Sequence, residues 1–308
     1  MKRLFLLPLA AWALASCVDG DYNLSGVDTD DIVVGDDASQ FDAPLARIRV
    51  SLDDIEGGGL SLRQLLGEAD AWLPAPLPDG EWVDLVRLRD EAAYRLALTD
   101  ALLGQMQRDE AKLTEVAALV AGRYAGEFAD RLGLGHDASE AEFVAAFRLL
   151  FRADAALRES VRAKASEYLS GIEVSDLEFD LGRLELDDVL DMLVENLDPP
   201  GTAVPMRTLS VEGEIASLLP LSVALQPVFS PSGIRIERFV VAARGASELP
   251  STYIYADDLR ALCDADRVKV VVPVELLRYY PGSADALADE PLSIRLFLRK
   301  RGALGLDF

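Results

Sequence analysis

Three pairs of adjacent carboxylates, Asp53-Asp54, Asp187-Asp188 and Asp257-Asp258, each stand where an apolar run ends. Two carboxylates at the right separation are all that glycoside hydrolysis requires. His136, the one histidine, lies beside Asp137, a pairing that in principle poises a general base. No second histidine, Cys-x-x-Cys or Gly-x-Ser-x-Gly accompanies it, so His136 reads as a turn residue. Gly57-Gly58-Gly59 leads into Leu60-Ser61-Leu62, without the Gly-Lys-Ser/Thr ending of a phosphate loop. With 53 Asp+Glu against 30 Lys+Arg, neighbouring acids are expected on turns and first helical turns, where the dipole favours them. The sequence therefore predicts no catalytic residue. Asp19, Asp21 and Asn23 fit positions 1, 3 and 5 of a calcium loop, but Leu24 stands where the sharp turn wants glycine, and the twelfth position lacks glutamate. No metal is expected.

The two cysteines differ in setting. Cys17 closes Leu14-Ala15-Ser16-Cys17, which follows Lys2, Arg3 and an apolar run from Leu4 to Ala15. A cationic start, an apolar run and small residues before a cut are the parts of a secretory signal peptide. The run is too short to span a bilayer, which takes roughly 20 apolar residues. The Leu14-Ala15-Ser16-Cys17 ending resembles the lipobox of bacterial lipoproteins. That resemblance implies a signal peptide over 1–16, a diacylglycerol on the Cys17 thiol, and cleavage that makes Cys17 the first residue. The covalent lipid is then the one non-protein group expected, and no cofactor. Cys263 is left without a disulfide partner; in Leu262-Cys263-Asp264 no cation lowers its pKa, and it reads as a small buried hydrophobe.

The net charge of −23 falls by two, to −25, when Lys2 and Arg3 leave with the signal. Nucleic acid is excluded as a partner, because binding it relies on clustered cations displacing counterions. Aromatic residues offer a different chemistry. Trp72 and Trp82 flank the proline-rich stretch 73–81, and Tyr279-Tyr280 precede Pro281-Gly282. Exposed, these four rings would stack on a sugar or a protein partner; folded inward, they would close one end of a core.

Positioning falls to an α+β chain. From Val18 to Asp42 eight residues are acidic and none is basic, and few are large and apolar, so 17–45 reads as an extended tether. Ile48, Val50 and Leu52 then alternate as on a strand, and Ser61 caps a short helix through Leu66. Alternation of Val86, Leu88, Tyr94, Leu96 and Leu98 with polar residues predicts a hairpin over 83–98, turning at Asp90-Glu91. Apolar residues at three- and four-residue spacings make 99–170 helical, with Ser139 capping its second half. From Gly171 to Phe308 short strands recur between turn residues, broken by a helix over Leu186 to Leu197 that Asp198-Pro199-Pro200-Gly201 stops. The expected architecture is an antiparallel β-sandwich-like body from 46–98 and 171–308, with a helical hairpin or bundle inserted at 99–170.

Cys17-Val18-Asp19-Gly20-Asp21-Tyr22-Asn23-Leu24-Ser25, and Leu219-Pro220-Leu221-Ser222-Val223 with Ser232-Gly233-Ile234, resemble β-rich lipoproteins of anaerobic Gram-negative gut bacteria. The family is of unknown function. The resemblance implies an outer-membrane, lipid-anchored protein at the cell surface. The reading that follows is a non-catalytic binding, adhesion or assembly role with a glycan or protein partner. Its rivals are a carbohydrate-binding accessory protein, which needs the aromatic loop exposed, and a carboxylate-dependent glycoside hydrolase, which needs two of the acid pairs to face each other.

Overall fold

The alternation of Leu292, Ile294, Leu296 and Leu298 with less buried neighbours builds a ten-residue central strand in the computed structural model. The structure describes residues 32–135, 138–183, 187–282 and 292–306. In chain order the elements begin with β1 (Ile32–Val34), β2 (Gln40–Val50), β3 (Glu56–Gly57) and β4 (Leu60–Ser61). The helical part follows: α1 (Leu62–Trp72), β5 (Val83–Asp84), α2 (Leu85–Asp90), α3 (Ala92–Met106), α4 (Glu110–Arg123), α5 (Ala125–Leu132), α6 (Glu140–Ala153) and α7 (Ala155–Ser170). Then come β6 (Leu177–Gly182), α8 (Asp187–Glu195), β7 (Thr208–Ser217), β8 (Leu221–Leu225), β9 (Val228–Ser230), β10 (Phe239–Val241) and β11 (Ala246–Glu248). The chain closes with β12 (Thr252–Ile254), α9 (Ala256–Cys263), β13 (Val268–Val272), β14 (Val274–Tyr279), β15 (Leu292–Arg301) and β16 (Leu304–Leu306).

Every described strand pair is antiparallel. β15 is flanked along its whole length by β2, from Leu292↔Val50 to Arg301↔Gln40, and by β7, from Leu292↔Ser217 to Arg301↔Thr208. β11 and β12 pair with the far side of β7. A second ribbon pairs β8 and β9 with β14 and β13, and its ladder is interrupted at Pro227 and Pro273. Proline has no N–H for the ladder, so two runs that read as single strands each split in two. Leu45, Val211 and Leu298 of the first sheet meet Leu181, Phe229, Leu259 and Leu262 around one small interior void, which shows the first sheet facing β6, β9 and α9. The fold is thus α+β with sandwich-like antiparallel sheets.

Two elements differ from the sequence expectation. The hairpin over 83–98 is instead the short strand β5, paired with β14, followed by α2 and α3. Asp84 accepts a hydrogen bond from the Arg87 amide and starts α2, while Arg95 Nη1 donates to the Leu88 and Arg89 carbonyls at its end, at 2.5 and 2.8 Å. Leu85 and Leu88 are buried three positions apart, a helical spacing that the Leu/Arg alternation disguised. Of the residues expected in the tether, Ile32–Val34 form β1, paired with β16, and 40–45 belong to β2. The acid that made them look unfoldable, Asp42, is bound by Arg299 at 2.7 and 2.8 Å, which holds its carboxyl below the usual carboxylate range. Since Arg299 also donates to Glu212 at 2.6 Å, one guanidinium ties β2, β15 and β7 together.

Two tyrosines join the helices to the body. Tyr168 of α7 donates to the Leu65 carbonyl of α1 at 2.9 Å. Tyr279 of β14, fully buried, donates to Asp70 of α1 at 2.7 Å, and the Gly282 amide reaches the same carboxylate at 3.0 Å. Burial raises the Asp70 pKa, and these two hydrogen bonds oppose the shift.

Candidate functional site

Two of the three acid pairs are occupied locally. Asp54 accepts from the Ser51 amide and hydroxyl, both at 2.9 Å, while Asp53 pairs with Arg63 at 3.1 Å. Asp257 and Asp258 lie in the first turn of α9, where Asp258 accepts from the Tyr255 amide at 3.2 Å. Asp187 and Asp188 begin α8. Two pairs are therefore spent on a turn, an ion pair and a helix start, as the acid-rich composition predicts. Among the described residues no group of three His, Cys, Asp or Glu could hold a metal. His136, the lipobox residues Leu14, Ala15 and Ser16, and Cys17 lie outside the described residues.

The four candidate aromatic residues divide. Trp72 is fully buried in the core at the end of α1, its ring 6.1 Å from that of Tyr124. Tyr279 is buried as described, so neither ring offers a surface to a ligand. Their periodic placement explains this: Leu62, Leu65, Leu66, Ala69 and Trp72 form one buried face of α1. Trp82 and Tyr280 remain half-buried, with the Arg278 guanidinium stacked 4.3 Å from the Trp82 ring centre. Cys263 is buried on α9.

A different surface draws attention. From Pro199 to Met206 every residue is exposed and none is charged, in a chain that is 27% charged. Val204 is 76% exposed and Met206 49%. Tyr253 and Tyr255, exposed at the end of β12, border a shallow cleft of about 70 Å³ with Pro199, Gly201, Thr202 and Pro205. That is well below the roughly 300–1,000 Å³ of small-molecule pockets, so the feature is a surface and not an enclosed site. The loop's base is closed by Asp198, which accepts from the Met206 and Arg207 amides at 2.7 and 2.9 Å; these bonds hold its carboxyl below the usual range. Thr202 Oγ1 donates back to the Pro199 carbonyl at 2.8 Å. In the sequence this stretch registers only as the stop of a helix. Its signal was an unbroken run of uncharged residues outside any periodic pattern.

Near the loop's base lies a buried lysine that the sequence did not single out. Lys300 of β15 is 3% exposed and donates to the Arg301 and Ala303 carbonyls at 2.5 and 3.4 Å. Burial and then repulsion from Arg207 push its pKa down to about 8, with Asp198 pulling the other way. An unfolded lysine titrates near 10.4, so between about pH 8 and 10 the unfolded chain binds a proton the folded one lacks. Stability therefore rises with pH across that window, and below it the penalty is constant. Lys300 sits two positions before the chain reversal at Gly302, at the rim of the fold, which limits the effect to about 1–2 kcal/mol. Denaturant titrations at pH 7 and about pH 9.5, below the range in which unfolded tyrosines ionise, should show most of that rise in the native chain and a flatter profile in Lys300→Met. An equal rise in both would remove Lys300 as its source.

No protein-family model and no curated protein matches this chain. Among solved structures, a crystal structure of a candidate secreted protein from Parabacteroides distasonis ATCC 8503 aligns with a TM-score of 0.28 and 14% identity, covering 42% of this chain and 38% of that one. The chain thus spans well under half the length of that neighbour, and an overlap this slight carries no argument about fold or role. No helix among the described residues is long and apolar enough to cross a membrane.

Proposed function

We propose that the chain is an exported lipoprotein, held at the outer membrane through Cys17, whose folded body acts at the cell surface by non-covalent binding rather than catalysis. The observation that carries this reading is Leu14-Ala15-Ser16-Cys17 at the end of a short apolar run, followed by an acidic stretch before the first strand at Ile32. Several acyl chains on one cysteine, each CH₂ contributing about 0.8 kcal/mol, make retention effectively permanent. The uncharged face formed by Pro199–Met206 with Tyr253 and Tyr255 supports a contact role, because exposed apolar surface of this kind is retained where something covers it. A carbohydrate-binding role would rest on Trp82 and Tyr280 without Trp72 and Tyr279, a smaller platform than the sequence suggests.

Expressed in a Gram-negative host, the native chain should fractionate with membranes and Cys17→Ala should move to the soluble fraction, a shift of about tenfold or more given acyl-chain partitioning. A Cys17→Ala protein that still sediments with membranes removes the anchor.

A further inference from the structure

The uncharged loop stands beside the place where the chain leaves the fold toward Cys17. β1 pairs with β16 through Ile32↔Leu306 and Val34↔Leu304. The reversal between β15 and β16 packs against the loop's base: a Cβ on Gly302 would lie 2.6 Å from the Met206 carbonyl, and the Gly302 amide donates to Ser39 in the β1–β2 connection. The root of the tether is thus one three-residue ribbon, about 10 Å, from the loop. Val34, 38% exposed, adds another apolar residue at that end.

We infer that the 199–206 loop, with Tyr253 and Tyr255, docks on the apolar edge of the same bilayer that anchors the protein. This inference rests on the reading of Cys17 as the attachment point. Fifteen or so residue steps separate Cys17 from Ile32, so at full extension the root stays within about 50 Å of the membrane and the loop within about 60 Å. Confinement of that kind gives an effective concentration in the millimolar range, so a contact too weak to bind a free protein is populated. The composition suits a bilayer edge: Val204, Met206 and three prolines for the acyl boundary, and two tyrosines for the headgroup level, where tyrosine is enriched. Charge points the same way. With a net charge of −25 once Lys2 and Arg3 are gone, the mature chain is repelled by anionic headgroups, so contact must come from an uncharged segment and be insensitive to salt. The Asp198 clasp presents the loop already folded.

The test couples the mature chain, from Cys17 onward, through the Cys17 thiol to a maleimide lipid in phosphatidylcholine vesicles. This fixes the tether whether or not cells acylate Cys17, so its failure is separate from that of the anchor reading. A tryptophan at Ala203→Trp, on the exposed loop, is compared with one at Leu149→Trp, on the exposed face of α6. With brominated acyl chains the loop reporter should be quenched at least about twofold more than the helix reporter, at low and high salt alike, since only groups at acyl depth meet bromine. Adding Val204→Asp and Met206→Asp should abolish the difference. Equal quenching at the two positions overturns the inference. A concentration-dependent blue shift of the loop reporter without lipid would also overturn it, assigning the loop to a second copy of the chain.

Discussion

Phe147→Ala is expected to destabilise the protein by about 3–5 kcal/mol. Its ring is fully buried and lies 6.0 Å from that of Phe151 and 6.5 Å from that of Phe143, both stacked on the same face of α6, and 6.3 Å from Phe128 of α5. Each such pair adds about 0.5–1.5 kcal/mol beyond the area it buries. The cavity would persist, because Phe143 and Phe151 are fixed one helical turn away on either side and cannot lean into it without unwinding α6. Water would not fill it either, since the lining is apolar. Leu149→Ala, on the same helix but 75% exposed, should change stability by no more than about 0.5 kcal/mol. Denaturant unfolding of both variants checks the contrast. Because Tyr279 and Tyr168 bind the body and α7 to α1, helical signal and tryptophan emission should move together. A Phe147→Ala loss below about 1 kcal/mol would contradict the packing.

Where one physical pattern dominated, the sequence was a sufficient guide. Leu292, Ile294, Leu296 and Leu298 alternate because β15 is covered on one face only, and the structure buries all four. Ser139 was legible as a cap, and it accepts from the Glu142 amide while Glu142 returns a bond to the Ser139 amide. Ser61 does the same with Gln64. Reading failed where two patterns competed. Between Val83 and Leu98, the six-residue α2 and the first two turns of the fifteen-residue α3 matched an alternating template as well as a helical one. At residues 40–45, acidity argued against folding because the compensating cation, Arg299, lies 257 positions away.

The candidate site was less legible for a related reason. Aromatic residues advertise themselves by type, but exposure is decided by register: Trp72 falls on the buried face of α1, while Trp82 lies beyond the proline stretch and stays half-exposed. Lys300 is inward because β15 alternates, and a basic Arg299-Lys300-Arg301 run gives no hint that its middle member points away from water. The 199–206 loop has no motif at all. It becomes visible only once the fold places eight uncharged residues in solvent beside the root of the tether.

Gly57→Ala should cost about 3 kcal/mol, although it adds one methyl group to a two-residue strand. A Cβ at Gly57 would lie 1.9 Å from the Glu173 carbonyl oxygen and 3.1 Å from a Leu65 methyl. No side-chain rotation relieves a clash with backbone. Either β3 or the segment leaving α7 must shift by more than an ångström, and the Ser175 amide, which donates to the Glu56 carbonyl at 2.7 Å, then loses its partner. That contact is where the helical segment returns to the body, so the damage reaches both. The neighbouring glycines answer a different need. Gly58 and Gly59 have φ of +58° and +81° with nothing within 4 Å of a Cβ, so alanine there costs only the left-handed backbone penalty of about 1–2 kcal/mol. Asparagine at 58 should recover part of that loss, because it tolerates the left-handed region, and should recover nothing at 57. Thermal unfolding of the five variants decides the point. If Gly57→Ala proves milder than Gly58→Ala, the close approach of β3 to Glu173 is not present in solution. If the order holds, the triple glycine is accounted for by one backbone contact and two left-handed turns, with no phosphate needed to explain it.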